Sequence, residues 1–337
     1  MPSRLSQLNA WLRRSLDTLY AEKNWGSAAS GKLVGIGSDA SSRRYFRWVD
    51  GAHRFVVMDA PPPGEDCRPF VRMAEWLQAA GIHVPQVLAA DLAQGFLLLT
   101  DLGEQTYLEV LNEDNADALF EQALQSLLLI QRTPPPSDLP AYDAALLQRE
   151  LQLFPDWYLA RHLGVSFNKA QYSAWQRICA LLIENALAQP KVLVHRDYMP
   201  RNLMLAVPNP GVLDFQDAVS GPLGYDVICL FKDAFISWPE ARVALWLKRY
   251  WALAGQAGIA VPGVFADFQR DCDLIGVQRH LKVIGIFSRI CYRDGKPRYL
   301  ADLPRFFRYL QEVLARRAEL FELSSLLADL PAAPPLP

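Results

Sequence analysis

Residues 192–217, VLVHRDYMPRNLMLAVPNPGVLDFQD, concentrate the side chains best suited to chemistry. His195, Asp197 and Asn202 follow one short apolar run, and Asp214 and Asp217 follow a second. The H-x-D-x-x-x-x-N spacing with a carboxylate beyond the next strand sets a base and hard oxygen ligands at the ends of neighbouring strands. Phosphoryl transfer needs that combination: a carboxylate to accept the attacking hydroxyl's proton, and oxygen ligands that hold Mg2+ against a triphosphate. Asp197 is placed as the base, with Asn202 and Asp214 as metal ligands. His195 is expected to pack and hydrogen-bond in the loop, and Asp217 to be either a second metal contact or a brace. The competing reading is a polar turn in which Asp197 and Asn202 bond backbone amides.

The elements that must position these groups are legible from periodicity. Leu5, Leu8, Leu12, Leu16 and Leu19 give residues 3–23 one apolar helical face. A strand at Lys32 to Ile36 precedes a hairpin, Tyr45 to Val49 and Phe55 to Met58, about the turn pair Asp50-Gly51. Pro61 to Pro63 stop the last strand, Arg68 to Ala80 has helical spacing, and Val84 to Ala90 and Phe96 to Thr100 read as strands. From Asp114 onward the patterns are helical, over 114–131, 143–163, 168–187, 226–237, 239–256, 264–289 and 302–328. The expected class is α+β and bilobal, an antiparallel sheet with one helix followed by a mainly helical region.

Thirty-four Lys and Arg against 36 Asp and Glu leave a net charge of −2, without the basic excess of a nucleic-acid binder. Apolar residues at 51% supply a core and exclude wholesale disorder. The five cysteines, 67, 179, 229, 272 and 291, form no CxxC pair, which disfavours zinc and disulfides and fits a reducing cytoplasm. Arg4, Arg13, Arg14 and Asp17 interrupt any secretory leader, and no segment is apolar for the roughly 18 residues of a membrane span. No obligate protein partner is evident.

HRDYMPRN followed by VLDFQD resembles the catalytic and metal loops of the aminoglycoside phosphotransferase family, whose fold is protein-kinase-like. The resemblance covers nearly the whole chain. It implies a nucleotide-binding lobe over 1–102 that covers ATP and a helical catalytic and substrate lobe over 103–337. It implies Asp197 as catalytic base, Asn202 and Asp214 as Mg2+ ligands, and a hinge at Leu99 to Leu102 that sets Thr100, Asp101 and Leu102 against adenine. Asp226, in GPLGYD, matches the family's brace of the catalytic loop; N-capping the helix that begins DVICLF is its other role.

One departure stands out. Where protein kinases end the third strand V-A-I-K, this chain has FVVM, with Met58 at the lysine position and no Lys between Lys32 and Lys169. A triphosphate still needs a cation, so Arg43 or Arg44 is expected to replace it, with Glu75 as the partner carboxylate. The loop GIGSDASSRR joins two strands rather than a strand to a helix, which excludes a Rossmann reading; its amides over 39–42, Ser41 and Ser42 included, are placed to cover phosphates.

SDASSRRYFR, VMDAPP, LLTDLGEQTY and QRHLKVIGIFSRICYRDGKPRYL are similar to one branch of the family, the bacterial anomeric kinases of N-acetylmuramate and N-acetylglucosamine. That implies phosphorylation of the C1 hydroxyl of a small amino sugar during peptidoglycan recycling. Between Asp271 and Tyr309 eight Lys or Arg stand against four Asp, which favours a neutral or anionic acceptor over a polycation. Arg279, Lys282, Arg289 and Arg293 are candidates for muramate's carboxylate. Trp238, Gln278 and His280 are either sugar contacts or core. Two alternatives remain: a kinase of an aminoglycoside, choline or homoserine, and a nucleotide-binding pseudokinase, suggested by Met58 and opposed by the intact Asp197, Asn202 and Asp214.

Overall fold

The computed structural model describes residues 3–27, 31–37, 42–51 and 53–332, so Ser41 and its neighbours Asp39 and Ala40 lie outside the described residues. In chain order the elements are α1 (Arg4–Lys23), β1 (Lys32–Gly35), β2 (Arg44–Val49), β3 (Arg54–Asp59), α2 (Arg68–Ala79), β4 (Val87–Asp91) and β5 (Phe96–Thr100). Then come α3 (Tyr107–Val110), α4 (Ala116–Arg132), α5 (Ala144–Leu151), α6 (Lys169–Ala188), β6 (Lys191–Val194), β7 (Leu203–Met204), β8 (Gly211–Val212) and β9 (Val219–Pro222). The chain ends with α7 (Gly224–Phe231), α8 (Glu240–Gln256), α9 (Phe265–Asp294), α10 (Leu303–Leu314) and α11 (Phe321–Ala328). They fall into two compact units: Met1–Ser126 with Arg201–Asp217, and Leu127–Pro200 with Ala218–Pro337.

The first unit is built on an antiparallel sheet in the order β1-β2-β3-β5-β4. β2 and β3 are joined at Asp50-Gly51, where Gly51 takes a φ of 93° and the Asp50 carboxylate accepts the His53 N–H at 2.8 Å. Trp48, Phe55, Val57, Phe96 and Leu98 on one sheet face bury against Leu8, Trp11, Leu12, Leu16 and Leu19 of α1. Ser3 caps that helix through the Ser6 N–H. Leu5, expected on the apolar face, is exposed; the first turn turns Arg4 inward instead, where its guanidinium bonds Asp59 at 2.8 Å.

The second unit is helical around α9, with the two-stranded ladder β6-β9 at one side. Three expected helices are interrupted. The 143–163 pattern breaks after α5 into a wider π-wound segment, Phe154–Leu163, because Pro155 has no N–H to continue the α ladder. The 226–237 pattern stops at Phe231, since the Asp233 carboxylate captures the N–H groups of Phe235 and Ile236. The 302–328 pattern divides into α10 and α11, and Arg316 and Arg317 in the break both reach Asp273. Among the described residues no helix is long and apolar enough to cross a membrane.

Gly285 lets α9 lie directly on the backbone of the segment before the π-wound turn: a Cβ there would stand 2.4 Å from the Leu153 carbonyl carbon and 2.5 Å from its oxygen. Backbone cannot yield as a side-chain tip can. Gly285→Ala is therefore expected to destabilise the fold by about 1–3 kcal/mol, read as a lowered urea midpoint with an unchanged slope. A wild-type midpoint would show that the helix pair tolerates separation.

Candidate active site

In the first unit, the short hairpin β7-β8 determines where Asn202 and Asp214 meet. Leu203 pairs with Val212 and Met204 with Gly211, so Asn202, just before the first strand, and Leu213, just after the second, share the open end; the Leu213 N–H donates to the Asn202 carbonyl at 2.9 Å. Asp214 then turns through a φ of 64°, and its carboxylate accepts from Asn202 Nδ2 at 3.4 Å and Gln216 Nε2 at 2.8 Å. Phe215 anchors the turn against Phe70 of α2, ring centres 4.9 Å apart. A hard cation takes the oxygen of an amide rather than its nitrogen, so Asn202 would turn Oδ1 in place of Nδ2 toward the ion to fill one position beside the Asp214 carboxylate. Among the described residues no three His, Cys, Asp or Glu side chains gather as a metal site. An ion held here would take its other ligands from water or phosphate, as Mg2+ commonly does.

The two candidate arginines differ. Arg44 sits on β2 opposite Asp59 of β3 and bonds its carboxylate, which Arg4 shares. Arg43 lies within charge reach of Asp217: burial would lower its guanidinium pKa, but Tyr45, Glu65 and Asp217 outweigh that and raise it. Tyr45 is raised by burial first and then, against the pull of Arg43, by Asp214. The carboxylate on Arg43 is Glu65, at 2.9 Å, which also accepts from the Ser42 hydroxyl at 2.7 Å. Glu75 is on the exposed face of α2, and Glu65 takes the place expected of it. In the stretch expected to be a hinge, Thr100 exchanges bonds with Gln86, just before β4, through its N–H and hydroxyl. The Asp101 carboxylate holds Arg47 at 2.7 Å, Arg54 at 3.3 Å and the Gly103 N–H; Leu102 follows it in the chain.

In the second unit, the loop after β6 is organised by Asp226 from the first turn of α7. Asp226 has no solvent exposure, and its two oxygens accept the N–H groups of His195 at 2.7 Å and Arg196 at 3.0 Å. It does not cap the helix, whose N-cap is Leu223. Burial raises its pKa to about 6, with His195 and the two amides opposing and Asp197 reinforcing the shift. His195 is buried, edge-on to Tyr198, with Nδ1 3.3 Å from the Asp197 N–H. Arg196 takes a φ of 76°, and Asp197 follows it half-buried. Arg279 and Lys282 of α9 both carry a charge interaction with Asp197.

Neither cation is on a solvated face. Arg279 donates to Cys229 Sγ at 2.9 Å and the Lys232 carbonyl at 3.2 Å; Lys282 donates to the Tyr225 hydroxyl and to Glu150, each at 2.9 Å. Arg289 is half-buried, Arg293 is exposed beside Asp294, and Trp238, Gln278 and His280 are buried. Sequence reasoning passed over Glu150, Arg196 and Glu65. The signal for Arg196 was its place between His195 and Asp197; Glu150 and Glu65 carry no local mark, since their partners lie far along the chain.

The raised Asp226 pKa fixes a sign. The folded state holds a proton on it that the unfolded chain releases near 3.8, so its stabilising contribution is complete below about 4 and lost as pH rises through about 6. Unfolding free energies of the wild type and Asp226→Asn are expected to differ by about 2 kcal/mol more in the variant's favour at pH 6.5 than at pH 4. Urea melts at the two pH values check this; a pH-independent difference would contradict it.

Residues 32–268 match the phosphotransferase enzyme family (APH), a span that contains His195, Asp197, Asn202, Asp214 and Asp226. The chain is 62% identical over 329 residues to a Pseudomonas aeruginosa protein named N-acetylmuramate/N-acetylglucosamine kinase, covering 98% of this chain and 97% of the relative. A Pseudomonas putida protein of the same name is 60% identical over 329 residues, with the same coverage. Among solved structures, the ADP-bound aminoglycoside phosphotransferase APH(2'')-Ib superposes with a TM-score of 0.55 at 16% identity, over 88% of this chain and 98% of its own, a likeness of fold. With seven-tenths of its length inside the matched region, the chain belongs to the phosphotransferase enzyme family.

Proposed function

We propose that this protein is an ATP-dependent kinase of N-acetylmuramate and N-acetylglucosamine that phosphorylates the anomeric C1 hydroxyl, in the cytoplasmic recycling of cell-wall sugars. The observation that carries the reading is identity of 60–62% over nearly the full length to relatives bearing that kinase name. The five cysteines are all free and buried, in keeping with a reducing compartment.

Asp197 serves as the base. An anomeric hydroxyl is more acidic than an ordinary alcohol, so a carboxylate within hydrogen-bond reach suffices to take its proton as the new O–P bond forms. Asn202 and Asp214 would hold Mg2+, whose positive charge would offset the negative charge on the transferring group. Arg43 supplies the cation that a lysine supplies in protein kinases. Its neighbours Tyr45, Glu65 and Asp217 support that choice over Arg44, which is committed to Asp59. Glu65 fixes the guanidinium while leaving its charge available to a more highly charged triphosphate. With Thr100 spent on Gln86, the main chain of Asp101 and Leu102 is left to meet adenine. Arg279 and Lys282 balance Asp197 and Glu150 rather than wait for a substrate carboxylate.

Asp197→Ala is expected to lower kcat by about 10²- to 10⁴-fold while nucleotide binding persists; turnover near wild type would refute the base assignment. ADP release screened over N-acetylmuramate, N-acetylglucosamine, an aminoglycoside, choline and homoserine, with 31P NMR of the product, is expected to give sugar 1-phosphates only. Arg43→Ala is expected to raise the KM for ATP by about tenfold or more, a loss of at least about 1.4 kcal/mol, with the sugar KM little changed, whereas Arg44→Ala leaves both near wild type. The reverse order would return the phosphate cation to Arg44.

A further inference from the structure

Arg196 stands in left-handed backbone, where a residue with a Cβ costs about 1–3 kcal/mol unless its surroundings hold it there. Its backbone N–H, its carbonyl and its Nη2 are each held. The N–H goes to Asp226 at 3.0 Å, the carbonyl accepts from the Cys229 thiol at 3.3 Å, and Nη2 meets Glu150 Oε1 at 2.5 Å. The guanidinium also lies over the Tyr142 ring, 5.7 Å from its centre.

Glu150 is the unusual member. It lies on α5, far in sequence from the catalytic loop, with its side chain 6% exposed. Oε1 is shared between Arg196 and Lys282 Nζ of α9, the latter at 2.9 Å; Oε2 accepts from the Tyr142 hydroxyl and from Gln278 Nε2 at 3.1 Å. Burial would raise this carboxyl, but Lys282 and Arg196 outweigh it and hold it below the usual range. A carboxylate with four donors from three segments is an anchor, and removing it would leave buried Lys282 and half-buried Arg196 without their common counter-charge.

We propose that Glu150 is a positioning residue of the reaction, gripping the Arg196 side chain so that the left-handed peptide before Asp197 keeps a single geometry. The proposal rests on Asp197 being the base. Glycine at 196 would accept the same φ without strain but offer Glu150 nothing to hold, so turn and tether can be separated.

The test is steady-state kinetics and thermal melting of the full chain carrying Arg196→Gly, Arg196→Lys, Glu150→Gln, the Arg196→Gly/Glu150→Gln pair, and Asp197→Asn. Arg196→Gly is expected to melt at or above the wild-type temperature, yet to lose about tenfold or more in kcat, since small displacements of a catalytic group are costly. The KM for ATP is expected to stay within about twofold, consistent with a loss confined to the transition state. Glu150→Gln alone should lose a similar factor in kcat and add less than about threefold in the Arg196→Gly background, while Arg196→Lys recovers part of the rate. Wild-type kcat in Arg196→Gly, or fully additive losses in the pair, would overturn the proposal. If Glu150→Gln does not fold, Arg196→Gly against Arg196→Lys decides alone. Normal turnover in Asp197→Asn would remove the base reading itself, whereas an inactive Asp197→Asn beside a fully active Arg196→Gly removes only the role of Glu150.

Discussion

A single buried carboxylate organises the loop after β6. Asp226 presents one oxygen to each of two consecutive amides, at His195 and Arg196, from the first turn of α7. Two successive N–H groups pointing the same way require a turn rather than a continuing strand, so β6 must end at Val194 and Asp197 must emerge from the turn. Keeping that carboxylate ionised in a place without water works against the fold, and the two amides with His195 only partly offset the cost. The rest of the second unit is consistent with this constraint: Cys229, one helical turn further along α7, bonds the carbonyl of the same Arg196, and Arg279 bonds Cys229 in turn.

The first unit solves a different electrostatic problem. A sheet strand that carries Met58 where a lysine stands in kinases cannot deliver a cation from its interior face, and Met58 is indeed fully buried. Just before β2, Arg43 is held by Glu65 and carries charge interactions with Tyr45 and Asp217, and Tyr45 in turn with Asp214. Arg44, one position on, belongs to the sheet and neutralises Asp59 together with Arg4. Adjacent arginines thus have separate duties because the strand begins between them.

Local pattern made much of this readable. Period-2 and period-3.6 apolar spacing located α1, the five strands of the sheet and the long helices to within a few residues, and the H-x-D-x-x-x-x-N run singled out the loop after β6. What periodicity could not supply was any feature decided by a distant partner. Arg279 and Lys282 read as candidates for a substrate carboxylate because Glu150, Tyr225 and Cys229, which bind them, lie from 50 to 132 positions away in sequence. Glu75 looked like the arginine's partner by analogy of position on α2, whereas Glu65 reaches it from the loop before that helix. The break at Phe231 follows from one Asx turn at Asp233 that helical periodicity conceals.

The hairpin that joins Asn202 to Asp214 has only two residue pairs, and side chains along a strand alternate between faces. Lengthening either strand by one residue would rotate one of these two side chains to the opposite side of the ribbon, with every atom of it still present. Frame, as much as composition, is therefore part of what this stretch encodes: a single-codon insertion between 202 and 205 or between 210 and 214 would be as damaging as losing the carboxylate outright.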